Sequence, residues 1–136
     1  MKKITVSVIS ELTTDQRVIR ISTTLQELGF DVSVIARHTK GALELGKYPF
    51  KAKRIKCFFS KGILGYAEFN VKLFIHLLFI KTDYLLSNDL DTLTPNFIIS
   101  KIRNKILFYD SHEYFTSVPE LTSAPLKQKI WKKLED

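Results

Sequence analysis

Residues 3–36, KITVSVISELTTDQRVIRISTTLQELGFDVSVIA, hold two β-rich runs separated by a stretch of different period. Residues 3–9 are rich in β-branched side chains, which suits a strand. Residues 10–14 break the pattern. From Asp15 onward, Val18, Ile21, Leu25 and Leu28 recur at helical spacing and make one apolar face. Thr14 or Asp15 is placed to cap this helix, and Gly29 to stop it by accepting left-handed geometry. Residues 31–36 read as a second strand with VSVIA at its centre. A helix between two such strands is the signature of a right-handed βαβ unit, and hence of a parallel sheet.

The rest of the chain continues in the same manner. Residues 38–51, with Gly41, Gly46 and Pro49, read as a loop. Residues 53–59 form a third strand, more charged and so nearer an edge. Gly62 and Gly65 punctuate another loop. Residues 67–80 predict a helix that is apolar nearly all round, and therefore deeply buried or covered by something outside this chain. A fourth strand over 83–87, a helix over 92–103 with Pro95 in its first turn, and a fifth strand over 105–109 follow. Residues 126–134 look helical and strongly basic. Five strands with helices between them make an α/β fold: a Rossmann-like open parallel sheet with helices on both faces. No internal repeat or low-complexity tract is present.

A chain of 136 residues is one domain's worth and can bury a real core. Cys57 is the sole cysteine, so no intramolecular disulfide is possible and a reducing compartment is expected. Its apolar neighbours favour a buried, inert thiol. The start, Met1-Lys2-Lys3, lacks the long apolar run and cleavage site of a signal peptide. Residues 71–80, the longest apolar run, contain Lys72 and His76 and are too short to span a bilayer. A cytoplasmic protein is expected. The net charge of +7 is uneven: seven Lys or Arg lie between residues 38 and 61 against one acid, Glu44. Such an excess attracts phosphate-rich partners, or else keeps a solvated face soluble. Nucleic acid is the weaker expectation, because the basic residues do not alternate with aromatics as a stacking platform needs.

Chemistry gathers where strands should end. Residues 105–114, KILFYDSHEY, run from an apolar stretch straight into Asp110, His112, Glu113 and Tyr114. The stretch 106–109 has the length and aromatic content of a fully buried strand. In open α/β sheets, ligands bind outside the carboxyl ends of the strands. Three such loops, residues 10–17, 88–92 and 110–114, should share one edge.

Several ligand patterns are excluded. The first loop, SELTTDQ, has no glycine, so it is not a dinucleotide fingerprint, and there is no P-loop. A receiver-type phosphoacceptor aspartate should end the third strand, where the chain instead has Phe58-Phe59-Ser60. What the first loop offers is a helix N-terminus and Arg17, suited to an anion or a sugar, or else a plain cap with Arg17 on the solvated face. Asp89 and Asp91 could hold a divalent cation. They lie in a loop entering a helix, however, where Asp91 serves more simply as its N-cap. Asn88 and Asp89 are better suited as hydrogen-bonding groups facing the crevice.

Three stretches together carry a family likeness: residues 12–37, LTTDQRVIRISTTLQELGFDVSVIAR; residues 87–98, SNDLDTLTPNFI; and residues 108–121, FYDSHEYFTSVPEL. In this order they resemble the N-terminal domain of family 4 glycosyltransferases of the GT-B fold. The most specific pieces are the Asp-x-Arg-Val and Asp-x-Asp-Thr helix starts and the Asp-Ser-His-Glu strand end. The first loop departs from the family's glycine-rich pattern and offers no glycine-mediated phosphate contact.

The resemblance implies one half of a two-domain enzyme with its active site in the cleft between the domains. Residues 1–136 would be the acceptor-binding domain, with 124–136 an inter-domain helix. A C-terminal donor domain carrying a Glu-x7-Glu pair would complete it, and this fragment alone would be inactive. The reaction implied is transfer of a hexosyl group, with retention, from a nucleotide-diphosphate sugar to a glycan or lipid-linked acceptor. No cofactor or metal is needed in that scheme. Catalysis falls to His112 and Glu113, and substrate binding to Asp15, Arg17, Asn88, Asp89, Asp110 and Tyr114. A peripheral contact at the inner face of the membrane would suit a lipid-linked acceptor. The competing reading is a stand-alone basic α/β binding or scaffold domain that docks on an anionic membrane surface or an acidic partner.

Overall fold

The computed structural model describes residues 1–59, 62–88 and 90–110. Strand β1 (Lys3–Ser7) leads through a 3-10 turn (Leu12–Thr14) into helix α1 (Gln16–Glu27). Then come β2 (Asp31–His38), β3 (Lys51–Lys56), α2 (Gly62–Phe79) and β4 (Tyr84–Asn88). A second turn (Leu90–Thr92), α3 (Leu93–Ile102) and β5 (Ile106–Asp110) complete the series. All five strands are parallel, in the order β3-β2-β1-β4-β5. The protein is an α/β domain with a Rossmann-like open sheet. Its strand order reverses between β1 and β4, the topological switch point at which such sheets bind ligands.

Side-chain alternation along the strands divides the core in two. Ile4, Val6, Val32, Val34 and Leu86 pack with Val18 of α1 on one face. Ile35, Ile55 and Leu85 pack with Phe69, Leu73 and Leu77 of α2 and Ile99 of α3 on the other. Each fully buried leucine or phenylalanine here contributes about 2 kcal/mol of apolar burial. Asp15 caps α1, accepting from Val18 N at 3.2 Å. Gly29, at φ +101°, ends it, with Phe30 N and Gly29 N donating back to the carbonyls of Leu25 and Gln26.

Three expectations are corrected. Gly62 and Gly65 belong to α2 and not to a loop. Gly65 is buried, and a Cβ on it would lie 2.7 Å from Arg37 Nη2 and 2.8 Å from the Phe59 carbonyl oxygen. A glycine inside this helix therefore marks close approach. With that extra turn α2 reaches 18 residues and is long and apolar enough to cross a membrane. Phe69, Leu73 and Leu77 instead bury one side of it completely, while Ile63 and Phe79 are about four-fifths exposed. The fifth strand is not fully buried. It is the last in the sheet, and Ile106 and Phe108 are at least half exposed. Asp91 is not the cap of α3: it lies in the preceding turn, and Thr92 holds the cap position without a side-chain bond to the helix.

The expected edge position of the third strand is found, although the strand stops at Lys56. There the chain bends so that Phe58 N and Phe59 N donate to the Glu68 carboxylate at 2.7 and 2.8 Å. The helix expected over 126–134 and the inter-domain role of 124–136 lie outside the described residues.

Candidate functional site

The carboxyl ends of β1, β4 and β5 lie side by side, with Ser7 paired to Ser87 and Asn88 to Asp110. Helix α1 starts above β1, and Arg17 in its first turn reaches over β4 to Asp110 at the end of β5 (Nη1 to Oδ2, 3.4 Å). Both side chains are partly covered, at 25% and 33% exposure. This pair joins residues 93 positions apart across the switch point. The three expected loops thus share one edge, so far as they are described.

Asp15 is taken up structurally. Its Oδ1 caps α1, and its Oδ2 accepts from Ser10 Oγ at 2.5 Å. Asn88 does not face open solvent. It is fully buried and donates from Nδ2 to the Ser7 carbonyl at 3.4 Å, tying β4 to β1. Among the described residues its Oδ1 has no hydrogen-bond partner, nor has the Ser7 hydroxyl. Thr92 lies among them, its hydroxyl 2.7 Å from Ser87 Oγ and within 3.2 and 3.4 Å of the Asn88 and Ser7 carbonyl oxygens. A buried polar seam therefore runs beneath the switch point, and a buried acceptor without a donor there costs stability. His112, Glu113, Tyr114 and Asp89 lie outside the described residues. Among the described residues no three His, Cys, Asp or Glu side chains come together as metal ligands would.

Two groups outside the expected site residues stand out. Glu11 caps the first 3-10 turn through Thr13 N, pairs with Arg54 at 2.9 Å, and accepts from Thr39 Oγ1 at 3.2 Å. Burial opposes its charge, but the bonds from Thr13 and Arg54 outweigh that and hold its carboxyl below the usual range. Nothing in the order of residues links Glu11 to Arg54; only the sheet brings them together. The second group is the run Arg37-His38-Thr39-Lys40, which leaves β2 on the same carboxyl edge. Its signal was available, since a basic cluster at a parallel strand's end faces the ligand side. A separate cavity of about 430 Å³, between the start of β3 and the end of α2, lies away from that edge.

No family model matches the chain, and no curated protein is similar enough to serve as a relative. Among solved structures, the chain resembles the C-terminal domain of a hydrogenase from Pyrococcus furiosus, with a TM-score of 0.56 and 12% identity. The match covers 80% of this chain and 89% of that one. At that identity the likeness is one of fold, and it agrees with the parallel α/β sheet described above.

Proposed function

We propose that the chain is the acceptor-binding half of a retaining glycosyltransferase, which moves a hexosyl group from a nucleotide-diphosphate sugar to a glycan or lipid-linked acceptor. The observation that carries this reading is the Arg17–Asp110 pair over the switch point. It sets the end of β5 beside the α1 N-terminus, and the Asp-Ser-His-Glu-Tyr run begins at Asp110 itself. In the transfer, the bond from the anomeric carbon to the diphosphate breaks and a bond to an acceptor hydroxyl forms, whose proton leaves with the diphosphate. Charge grows on the sugar ring and on the leaving group. Helix N-termini and basic groups serve such a transition state better than a strong base does.

His112 is assigned to the donor sugar and Glu113 and Tyr114 to the acceptor side, with Asp110 orienting their loop. No resident cofactor or metal enters this scheme. A C-terminal donor domain is required, so residues 1–136 alone are expected to be inactive. The test is His112→Ala in an enzyme that includes the donor domain, assayed against nucleotide sugars. Turnover should fall about 100-fold or more, with the fold intact by circular dichroism. Near-normal turnover would remove His112 from catalysis.

A second reading, a stand-alone basic domain that docks on an anionic membrane surface, has one observation of its own. Helix α2 exposes Ile63, Leu64, Val71, Ile75 and Phe79 on a chain of net charge +7. The two readings meet if the acceptor is lipid-linked, which would place the enzyme in the cytoplasm with a peripheral contact at the inner face of the membrane.

A further inference from the structure

The chain leaves β2 through residues 37–40 and β3 through residues 57–59, and these two exits line a cleft of about 430 Å³ at the carboxyl edge of the sheet. Arg37, His38 and Lys40 are in its wall, and among the described residues no carboxylate is. The two carboxylates nearest by hydrogen bonding are each neutralised elsewhere. Glu11, which holds Thr39, is paired with Arg54 at 2.9 Å. Glu68, which holds the backbone of Phe58 and Phe59, is paired with Lys72 at 2.7 Å. Among the described residues, the wall of the cleft therefore carries basic side chains and no acidic one.

The opposite wall is aromatic. Phe58 is 87% exposed and Phe59 43%, with their rings edge to face at 5.3 Å. A phenylalanine so exposed would ordinarily ride on a loose loop. This one sits on backbone fixed at three points: two amides on Glu68, and the Phe59 carbonyl, which accepts from Arg37 Nη2 at 3.0 Å. The backbone of that wall is held before any ligand arrives, so binding need not supply the cost of ordering it. Burial, with Glu68 adding, pushes the Cys57 thiol up, so it stays protonated and acts as wall and not as nucleophile.

We propose that this cleft is a subsite for an anionic saccharide, a sugar bearing a phosphate or a carboxylate. Arg37, His38 and Lys40 meet the charge, and the C–H face of the ring lies on Phe58. The volume exceeds what a bare phosphate fills, and a neutral sugar would leave the cations unused. This deepens the reading of the protein as an acceptor-binding domain, because it names the acceptor's class.

The test is isothermal titration of the intact protein with glucose 6-phosphate, glucuronic acid, glucose and inorganic phosphate. At least one anionic sugar should bind about tenfold more tightly than both glucose and inorganic phosphate. Which of the two prevails tells phosphate from carboxylate. Lys40→Glu and Phe58→Ala, both at exposed positions, should each weaken that binding about tenfold or more. Weakening by both substitutions places the sugar in this cleft. Equal binding of inorganic phosphate and sugar phosphate, binding unaffected by both substitutions, or no binding of either anionic sugar would overturn the proposal. Transfer by the complete enzyme to a neutral acceptor alone would sink the subsite and leave the transferase standing. Anionic-sugar binding without transfer by the complete enzyme would do the reverse.

Discussion

Glu11 performs three tasks with one carboxylate: it caps a turn, answers Arg54 and anchors Thr39. Arg54 and Glu11 are only 13% and 11% exposed, so removing one leaves the other poorly solvated. Glu11→Ala should cost roughly 2 kcal/mol in urea unfolding, somewhat less than the ~3–5 kcal/mol of a fully interior pair. The pH dependence has a definite sign. The folded carboxyl lies below its ordinary value of 4.5, so its contribution is complete above that value and is lost as pH falls through the folded pKa. Stability of the parent protein should therefore decline toward acid more steeply than that of the alanine variant. Parallel curves would mean that Glu11 gains nothing from its partners. Glu68 shows the same logic more strongly, its carboxyl held down to about 2 by Lys72 and the amides of Phe58 and Phe59.

At the scale of the element, α2 is where local sequence and tertiary setting disagree. Glycine inside a helix usually costs stability, so Gly→Ala should stabilise by about 1 kcal/mol on propensity alone. At Gly65 the added methyl would meet Arg37 and the backbone oxygen of Phe59 at under 3 Å. Gly65→Ala is expected to destabilise, by about 1–3 kcal/mol, and to lower the midpoint of thermal unfolding. A raised midpoint would mean that the junction of β3 and α2 shifts freely. The elements themselves were largely legible: a cap at Asp15, a stop at Gly29 and the strand–helix alternation all depend on near neighbours in sequence. The start of α2 was not, because Gly62 and Gly65 look like loop residues until the helix is seen pressed on β3. Nor was the exposure of β5, since an apolar run of five residues looks alike at the centre and at the edge of a sheet.

For the whole molecule, the uncovered apolar side of α2 and the net charge of +7 make one prediction together. The protein should co-sediment with vesicles containing anionic lipid, less so with neutral vesicles, and progressively less as salt is raised. Ile63→Ser with Phe79→Ser should reduce the binding, as both side chains are about four-fifths exposed. Absence of binding at low salt would remove the membrane from the picture. The candidate site divides along similar lines. The convergence of three strand-end loops on one edge followed from parallel topology, and hence from the sequence. The burial of Asn88, the pairing of Arg17 with Asp110, the counter-ion of Arg54 and the cleft between residues 37–40 and 57–59 did not. Short-range periodicity, caps and turn chemistry encode the elements, their order and the parallel α/β class. Which charges meet, which faces stay open and which strand becomes an edge depend on the folded sheet, because contacts between residues tens of positions apart exist only once it has formed.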